Sequence, residues 1–274
     1  MKKLIYLLSA ILLVLTSCTD DYAVINQKGV IVVPETPLVP DVPVVTDSTV
    51  VVESNLLKKI VHTYKNGFTT TIDFVYDGNK IVSETDQDGF KINYTYTGDL
   101  ITKVEKLYAN GEVYISKQYI YEDGRLKDIL RQEFGSYFKV NYKYNSNNTI
   151  WFAESNSNSE GIELEATGRT GTYTILDGNL IKSEKYLGSS QSVTTFEYDS
   201  EKNPKYNVVG FNLLLDVAYE QSINNPVNKN DVSGLSTASW TYKYEYNTNG
   251  YPTLNIGKSA IDGSPFIETT QFFY

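Results

Sequence analysis

One short phrase recurs along this chain and confines it to a narrow set of folds. It is plainest at Phe74-Val75-Tyr76-Asp77-Gly78-Asn79-Lys80-Ile81-Val82-Ser83-Glu84: two aromatics two residues apart, a turn dipeptide, then a second apolar run. Weaker copies stand at Tyr94 to Leu100, Tyr119 to Leu126, Tyr142 to Tyr144, Tyr173 to Leu180, Phe196 to Asp199 and Tyr244 to Asn247. Around them residue types alternate. Phe68, Thr70, Ile72, Phe74 and Tyr76 fall on one face and Thr69, Thr71 and Asp73 on the other, the period of a strand with one buried side.

Asn-Gly or Asp-Gly dipeptides separate these runs, at Asn66-Gly67, Asp77-Gly78, Asp88-Gly89, Asn110-Gly111, Asp123-Gly124, Asp177-Gly178, Asn249-Gly250 and Asp262-Gly263. Both residue types tolerate positive φ, which tight hairpins demand, so they mark the chain reversals. In the first half they come about every eleven to thirteen residues, with Gly98 filling the one long gap. This pitch predicts an all-β fold: an antiparallel up-and-down meander of tandem hairpins, about sixteen strands, strongly curved or barrel-like. A short helix is expected only where the pattern breaks, over 211–220. Pro226 and its polar neighbours read as a loop, with the meander resuming at Ser236, and Ser155 to Gly161 reads as a mobile loop.

The N-terminus reads as an export address. Lys2 and Lys3 precede an apolar stretch from Leu4 to Leu15, too short to cross a bilayer as a helix. Leu15-Thr16-Ser17-Cys18 resembles the lipobox of bacterial lipoproteins, which implies cleavage before Cys18 and lipid attachment on it. Residues 1–17 are thus expected to be a signal peptide, 18–55 the lipidated Cys18 and a linker, and 56–274 the repeat β domain. Cys18 is the only cysteine, which excludes disulfides, a cysteine nucleophile and a thiolate metal site. Losing the leader leaves 22 basic against 33 acidic side chains, a formal charge of about −11, and such a surface repels nucleic acid.

Thr19-Asp20-Asp21 resembles the acidic signal that sends Bacteroidota lipoproteins to the outer face of the outer membrane, so cell-surface display is favoured over the periplasmic face. Pro34, Pro37, Pro40 and Pro43 recur every third residue, the repeat of a polyproline II rod. At about 3.1 Å per residue the tether from Thr19 to Asn55 reaches on the order of 100 Å. Asp47-Ser48-Thr49 resembles a Bacteroidota O-glycosylation acceptor, a triplet short enough to arise by chance.

The aromatic-x-Tyr-Asp-x-x-Gly phrasing is similar to the tyrosine-aspartate repeats of Rhs-type proteins. The last third, with Asn203-Pro204, Ser222-Ile223-Asn224-Asn225 and Tyr244 to Thr253, resembles a family of uncharacterised Bacteroidota lipoproteins, a domain of unknown function with a porin-like fold. That resemblance covers roughly 56–274 and implies a meander curled toward a barrel, without supplying site residues. Lys58, Lys106 and Lys117 share a strand face with Ile60, Val104 and Tyr119, and a lysine facing lipid at mid-membrane costs about 2 to 4 kcal/mol, so the domain is expected to stand in water. Phe272-Phe273-Tyr274 then reads as a last strand.

Catalytic signatures are sparse. Glu84, Asp86 and Asp88 have the spacing of half a calcium loop, but Thr95 stands where the closing glutamate belongs, and a hairpin turn accounts for them better. His62 is the only histidine and reads as a strand residue; Glu163 and Glu165 share a solvated strand face. Trp151 and Trp240 have rings able to stack on sugars, although cross-strand packing uses the same residues. The expected protein is a non-catalytic, lipid-anchored binding or scaffold module without metal or cofactor, its partner a glycan or a protein and its membrane contact Cys18. The alternatives are a carrier enclosing an apolar ligand in a curled sheet and an acidic-residue glycoside hydrolase.

Overall fold

The computed structural model describes residues 55–261 and 264–274. Cys18, the leader, the proline-rich linker, Ser48 and the Asp262-Gly263 turn lie outside them. Sixteen strands follow in order: β1 (Lys59–Thr63), β2 (Thr69–Asp77), β3 (Lys80–Asp86), β4 (Lys91–Thr97), β5 (Leu100–Leu107), β6 (Val113–Glu122), β7 (Arg125–Glu133), β8 (Ser136–Tyr144), β9 (Thr149–Ser157), β10 (Glu163–Leu176), β11 (Asn179–Leu187), β12 (Ser190–Lys202), β13 (Asn224–Ser233), β14 (Ser236–Tyr246), β15 (Pro252–Ile261) and β16 (Ser264–Phe273). Every strand pairs antiparallel with its sequence neighbours. The terminal aromatics close the cylinder, Ile60 standing opposite Phe272 and His62 opposite Thr270, so no strand edge is left unpaired among the described residues.

The turns are of two kinds. At Tyr64 to Phe68, Asp86 to Phe90, Tyr108 to Glu112 and Asn247 to Tyr251 the penultimate glycine takes positive φ, and the Asp or Asn nearby caps the turn: the Asp86 carboxylate accepts from the Asp88 and Phe90 amides at 2.9 Å each. Other hairpins turn on two residues. At β2–β3 the dipeptide rule slips by one, the central pair being Gly78-Asn79 with Asp77 already paired to Lys80, whereas Asp123-Gly124 and Asp177-Gly178 are themselves the central pairs of their turns.

The recurrent tyrosine has a structural task. Beside Tyr76, Tyr96 and Tyr121 the register shifts by one residue, a β-bulge that leaves one residue of the following strand unpaired. The next hairpin's tyrosine caps the backbone there: Tyr121 Oη donates to the Ile101 carbonyl at 2.8 Å, and Tyr198 Oη to that of Leu180 at 2.8 Å. Tyr76 reaches the Leu57 carbonyl in the same way at 2.9 Å. In these copies the repeat ties a hairpin to the backbone of the stretch before it.

Three local expectations are corrected. Residues 211–220 hold two single 3-10 turns, Phe211–Leu213 and Ala218–Gln221, in place of a helix. Pro226 lies within β13, opposite Tyr198 at a register shift, where a missing amide costs no ladder bond. Ser155 to Gly161 is the end of β9 and a tight turn capped by Asn158, with Gly161 packed against Leu130, rather than a mobile loop.

Candidate functional site

Strand alternation turns most of the aromatic and aliphatic side chains inward and leaves the outside mainly polar. Phe74, Tyr119, Val140, Phe152, Tyr173, Leu180 and Phe196 are buried together, with Ile72, Tyr142, Tyr144 and Tyr198 packed against them. Between these lumen residues, and so on the outer wall, stand Asp73 (flanked by Ile72 and Phe74), Lys143 (by Tyr142 and Tyr144), Glu197 (by Phe196 and Tyr198) and Lys243 (by Tyr242 and Tyr244). This polarity is the reverse of a membrane-spanning barrel, whose outer band is apolar. Lys106 and Lys117 lie on the inner face, and Lys58 precedes β1, so the charges that would confront lipid are these others.

Sixteen strands enclose a lumen wide enough for an aqueous channel, but residues 203–223 cross one end of it. This segment leaves β12, passes beneath the β2–β3 and β4–β5 turns, and returns to β13. The Val209 amide donates to the Asn79 carbonyl at 3.0 Å, and Tyr96 Oη donates to the Val209 carbonyl at 3.1 Å. Phe211, Leu214 and Leu215 join the lumenal core. Two ionic contacts tie this floor to the wall. Lys117 Nζ donates to Asp216 Oδ2 at 2.6 Å, with Tyr119 Oη 3.2 Å from the same carboxylate. Lys205 Nζ lies 3.0 Å from Glu84 and 3.1 Å from Glu220, its ammonium over the Phe211 ring at 4.4 Å. Burial alone would lower the Lys205 pKa, but the two carboxylates outweigh it and hold the ammonium above the ordinary lysine value. Burial, reinforced by Asp216, raises the Tyr119 hydroxyl.

Above the floor, between β1–β3 and β13–β16, lies a cavity of about 460 Å³. Its cause is a mismatch of sizes across two strands. Trp240, Tyr242 and Tyr244 of β14 stand opposite Ser259, Gly257 and Asn255 of β15, so one wall is aromatic and its neighbour small and polar. Ile72, Phe74 and Phe272 extend the apolar side; His62, Glu268 and Thr270 extend the polar side. His62 Nδ1 shares a 2.9 Å hydrogen bond with Thr270 Oγ1, and its Nε2 lies 3.5 Å from Glu268. Such a cavity can grip a small molecule with one apolar and one hydrogen-bonding side.

The two tryptophans part company. Trp240 lines the cavity with Lys229 Nζ 3.9 Å from its ring centroid, whereas Trp151 lies on the outer wall, 41% exposed, opposite Thr172. His62 is a strand residue, as read, and also part of the cavity wall. Asp86 and Asp88 belong to a capped hairpin turn, and Glu84 faces the lumen. Glu163 pairs with Lys139 on the outside at 3.1 Å. Tyr242, Asn255, Gly257, Ser259 and Glu268 carried no sequence signal taken singly. The signal lay in the pair of strands: Asn255-x-Gly257-x-Ser259 is an inner face of small polar residues set against three aromatic rings. Among the described residues no group of three His, Cys, Asp or Glu could hold a metal ion.

Fold and site together define an up-and-down barrel with a polar outer wall, an aromatic lumen, a folded floor and an internal cavity. No family model matches the chain, and no curated protein does. Among solved structures it is similar to a porin-like protein from Bacteroides uniformis ATCC 8492, with 12% identity and a TM-score of 0.51, covering 79% of this chain and 97% of the other. At that identity the similarity is one of fold.

Proposed function

We propose that the chain is a non-catalytic binding module, lipid-anchored at the outer membrane through Cys18 and displayed at the cell surface, whose ligand is a small amphipathic molecule held inside the barrel. The carrying observation is the cavity of about 460 Å³ between the Trp240, Tyr242 and Tyr244 rings and the small residues of β15. Its volume lies in the range of small-molecule sites, about 300–1,000 Å³. The outer wall favours a barrel that stands in water, and the Leu15 to Cys18 lipobox favours an acyl anchor, since a lysine such as Lys243 facing lipid costs about 2 to 4 kcal/mol. Glu84 and Glu220 share the Lys205 ammonium, which commits both carboxylates to holding the floor.

The test uses the chain from Thr19 onward, purified without detergent, beside Gly257→Phe. A Cβ at Gly257 meets the Tyr242 ring at 3.4 Å, ordinary contact, and the rest of a phenylalanine would occupy the cavity. Native mass spectrometry is expected to find a small molecule on the wild type and none on the variant at equal thermal stability. In a Trp151→Phe background the added ligand changes the fluorescence of Trp240. No retained species and no Trp240 response across a panel of amphiphiles would overturn the ligand reading, and turnover of a bound compound would overturn the non-catalytic one. Protease shaving of intact cells tests display: protection would place the barrel on the periplasmic side.

A further inference from the structure

The two ends of the barrel differ in what their turns present to water. At the floor end the two-residue turns are Gly78-Asn79, Gly98-Asp99, Asp123-Gly124 and Asp177-Gly178, all glycine and polar residues. At the opposite rim two of the three described two-residue turns carry a large apolar residue, Phe134-Gly135 and Gly234-Leu235, the third being Gly188-Ser189. Phe134 is 70% exposed at φ 48°, a backbone conformation disfavoured for a bulky residue, and Leu235 is fully exposed. Phe68, Phe90, Tyr108 and Leu187 add exposed apolar side chains at four further rim hairpins. Rings of three adjacent hairpins form one edge, Phe90 to Tyr108 at 6.0 Å, Tyr108 to Tyr114 at 4.5 Å and Tyr114 to Phe134 at 6.0 Å. Turn chemistry favours Asn, Asp or Gly at such positions, and these side chains stay exposed although neighbouring rings touch one another.

We propose that this rim docks on the surface of a zwitterionic lipid bilayer, its aromatic and aliphatic tips entering the interface. Aromatic side chains are suited to that depth. Asp86, Asp88 and Glu112, in the turns of Phe90 and Tyr108, would repel anionic lipid and the same turns of a second copy, while Lys65 and Lys91 stand beside Phe68 and Phe90; this mixture of signs favours a lipid surface without net charge as the occupant. Position allows it. The described chain begins at Asn55 beside the floor, where that side chain meets Asn249 of the β14–β15 turn, and the 37 residue steps from Cys18 to Asn55, at a covalent limit of about 3.3 Å each, exceed the length of a barrel of ten-residue strands, about 33 Å. Anchor and rim can therefore reach the same bilayer.

The proposal is independent of the lumenal ligand and is tested without it. The chain from Thr19 onward, which lacks Cys18 and keeps the whole closed barrel, is sedimented with phosphatidylcholine vesicles. Phe134→Asn and Leu235→Ser place turn-favoured residues at the tips, so loss of fold is not the expected outcome. Each is expected to lower vesicle partitioning about tenfold, while Val75→Ser on the outer wall near the floor leaves it unchanged. Failure of the wild type to bind vesicles, or equal binding by the rim variants, would overturn the proposal. So would self-association without vesicles that the same substitutions abolish, since the rim would then join copies of this chain.

Discussion

Lys117, in the middle of β6, donates from Nζ to Asp216 Oδ2 at 2.6 Å, joining the wall of the barrel to the segment that closes its end. Both side chains are largely withdrawn from water, so the pair can be broken only by leaving one charge among the lumenal tyrosines. Asp216→Ala is expected to destabilise the barrel by about 3 kcal/mol in urea denaturation, and Lys117→Met combined with Asp216→Leu to recover most of it. An Asp216→Ala protein as stable as the wild type would mean that the pair does not hold the floor.

Gly210 marks where the floor passes the β4–β5 turn. It adopts φ 73°, and a Cβ there would approach the Asp99 carbonyl oxygen to 2.6 Å, while the equivalent atom at Gly78 meets nothing within 4 Å. Gly78→Ala carries only the left-handed backbone penalty, about 1 to 2 kcal/mol. Gly210→Ala adds a clash with main chain and is expected to cost about 3 kcal/mol or more. Equal thermal shifts for the two variants would show that the floor yields at this point.

The tyrosine ties can be tested one atom at a time. Tyr121→Phe removes the hydroxyl that satisfies the Ile101 carbonyl and is expected to cost about 1 kcal/mol. Tyr186→Phe, at an exposed ring bonded only to Gln191, should stay within about 0.5 kcal/mol of wild type. Chemical denaturation of the two proteins side by side separates a tie from a merely buried ring.

Alkaline pH should open the barrel in one step. Burial pushes the Tyr96 hydroxyl up to about 12 and carries those of Tyr76, Tyr94, Tyr121, Tyr198 and Tyr244 higher still. An unfolded tyrosine ionises near 10. Because the folded values are raised, the stability these groups contribute is fully present below about pH 10 and is lost as pH climbs through 12 and beyond. Absorbance at 295 nm followed together with far-UV circular dichroism is expected to show the lumenal tyrosines ionising only as the sheet unfolds. Ionisation of the whole set in an intact barrel would contradict this.

Local information was enough for the meander. Alternation over 68–76 and 90–96, and glycine paired with Asn or Asp at many of the reversals, depend on φ/ψ preferences and side-chain direction within a few residues, so strands, turns and their order were legible along the chain. The Tyr76 and Tyr121 phrase was legible as architecture, though not its purpose, because the carbonyl each hydroxyl caps lies about twenty residues earlier in the chain. Three things were decided only in three dimensions. Alternation distinguishes two faces but not which one a cylinder turns inward; closure of β1 on β16 settled that, and with it the placement of Lys117 inside and Lys143 outside. The floor depends on contacts such as Lys117 with Asp216 and Lys205 with Glu84, across about a hundred residues or more, so the stretch where the phrase fails showed no more than a gap in the pattern. The cavity arises from the register that sets Tyr242 against Gly257, since neither residue alone makes a space, and a volume is a property of what two strands leave unfilled.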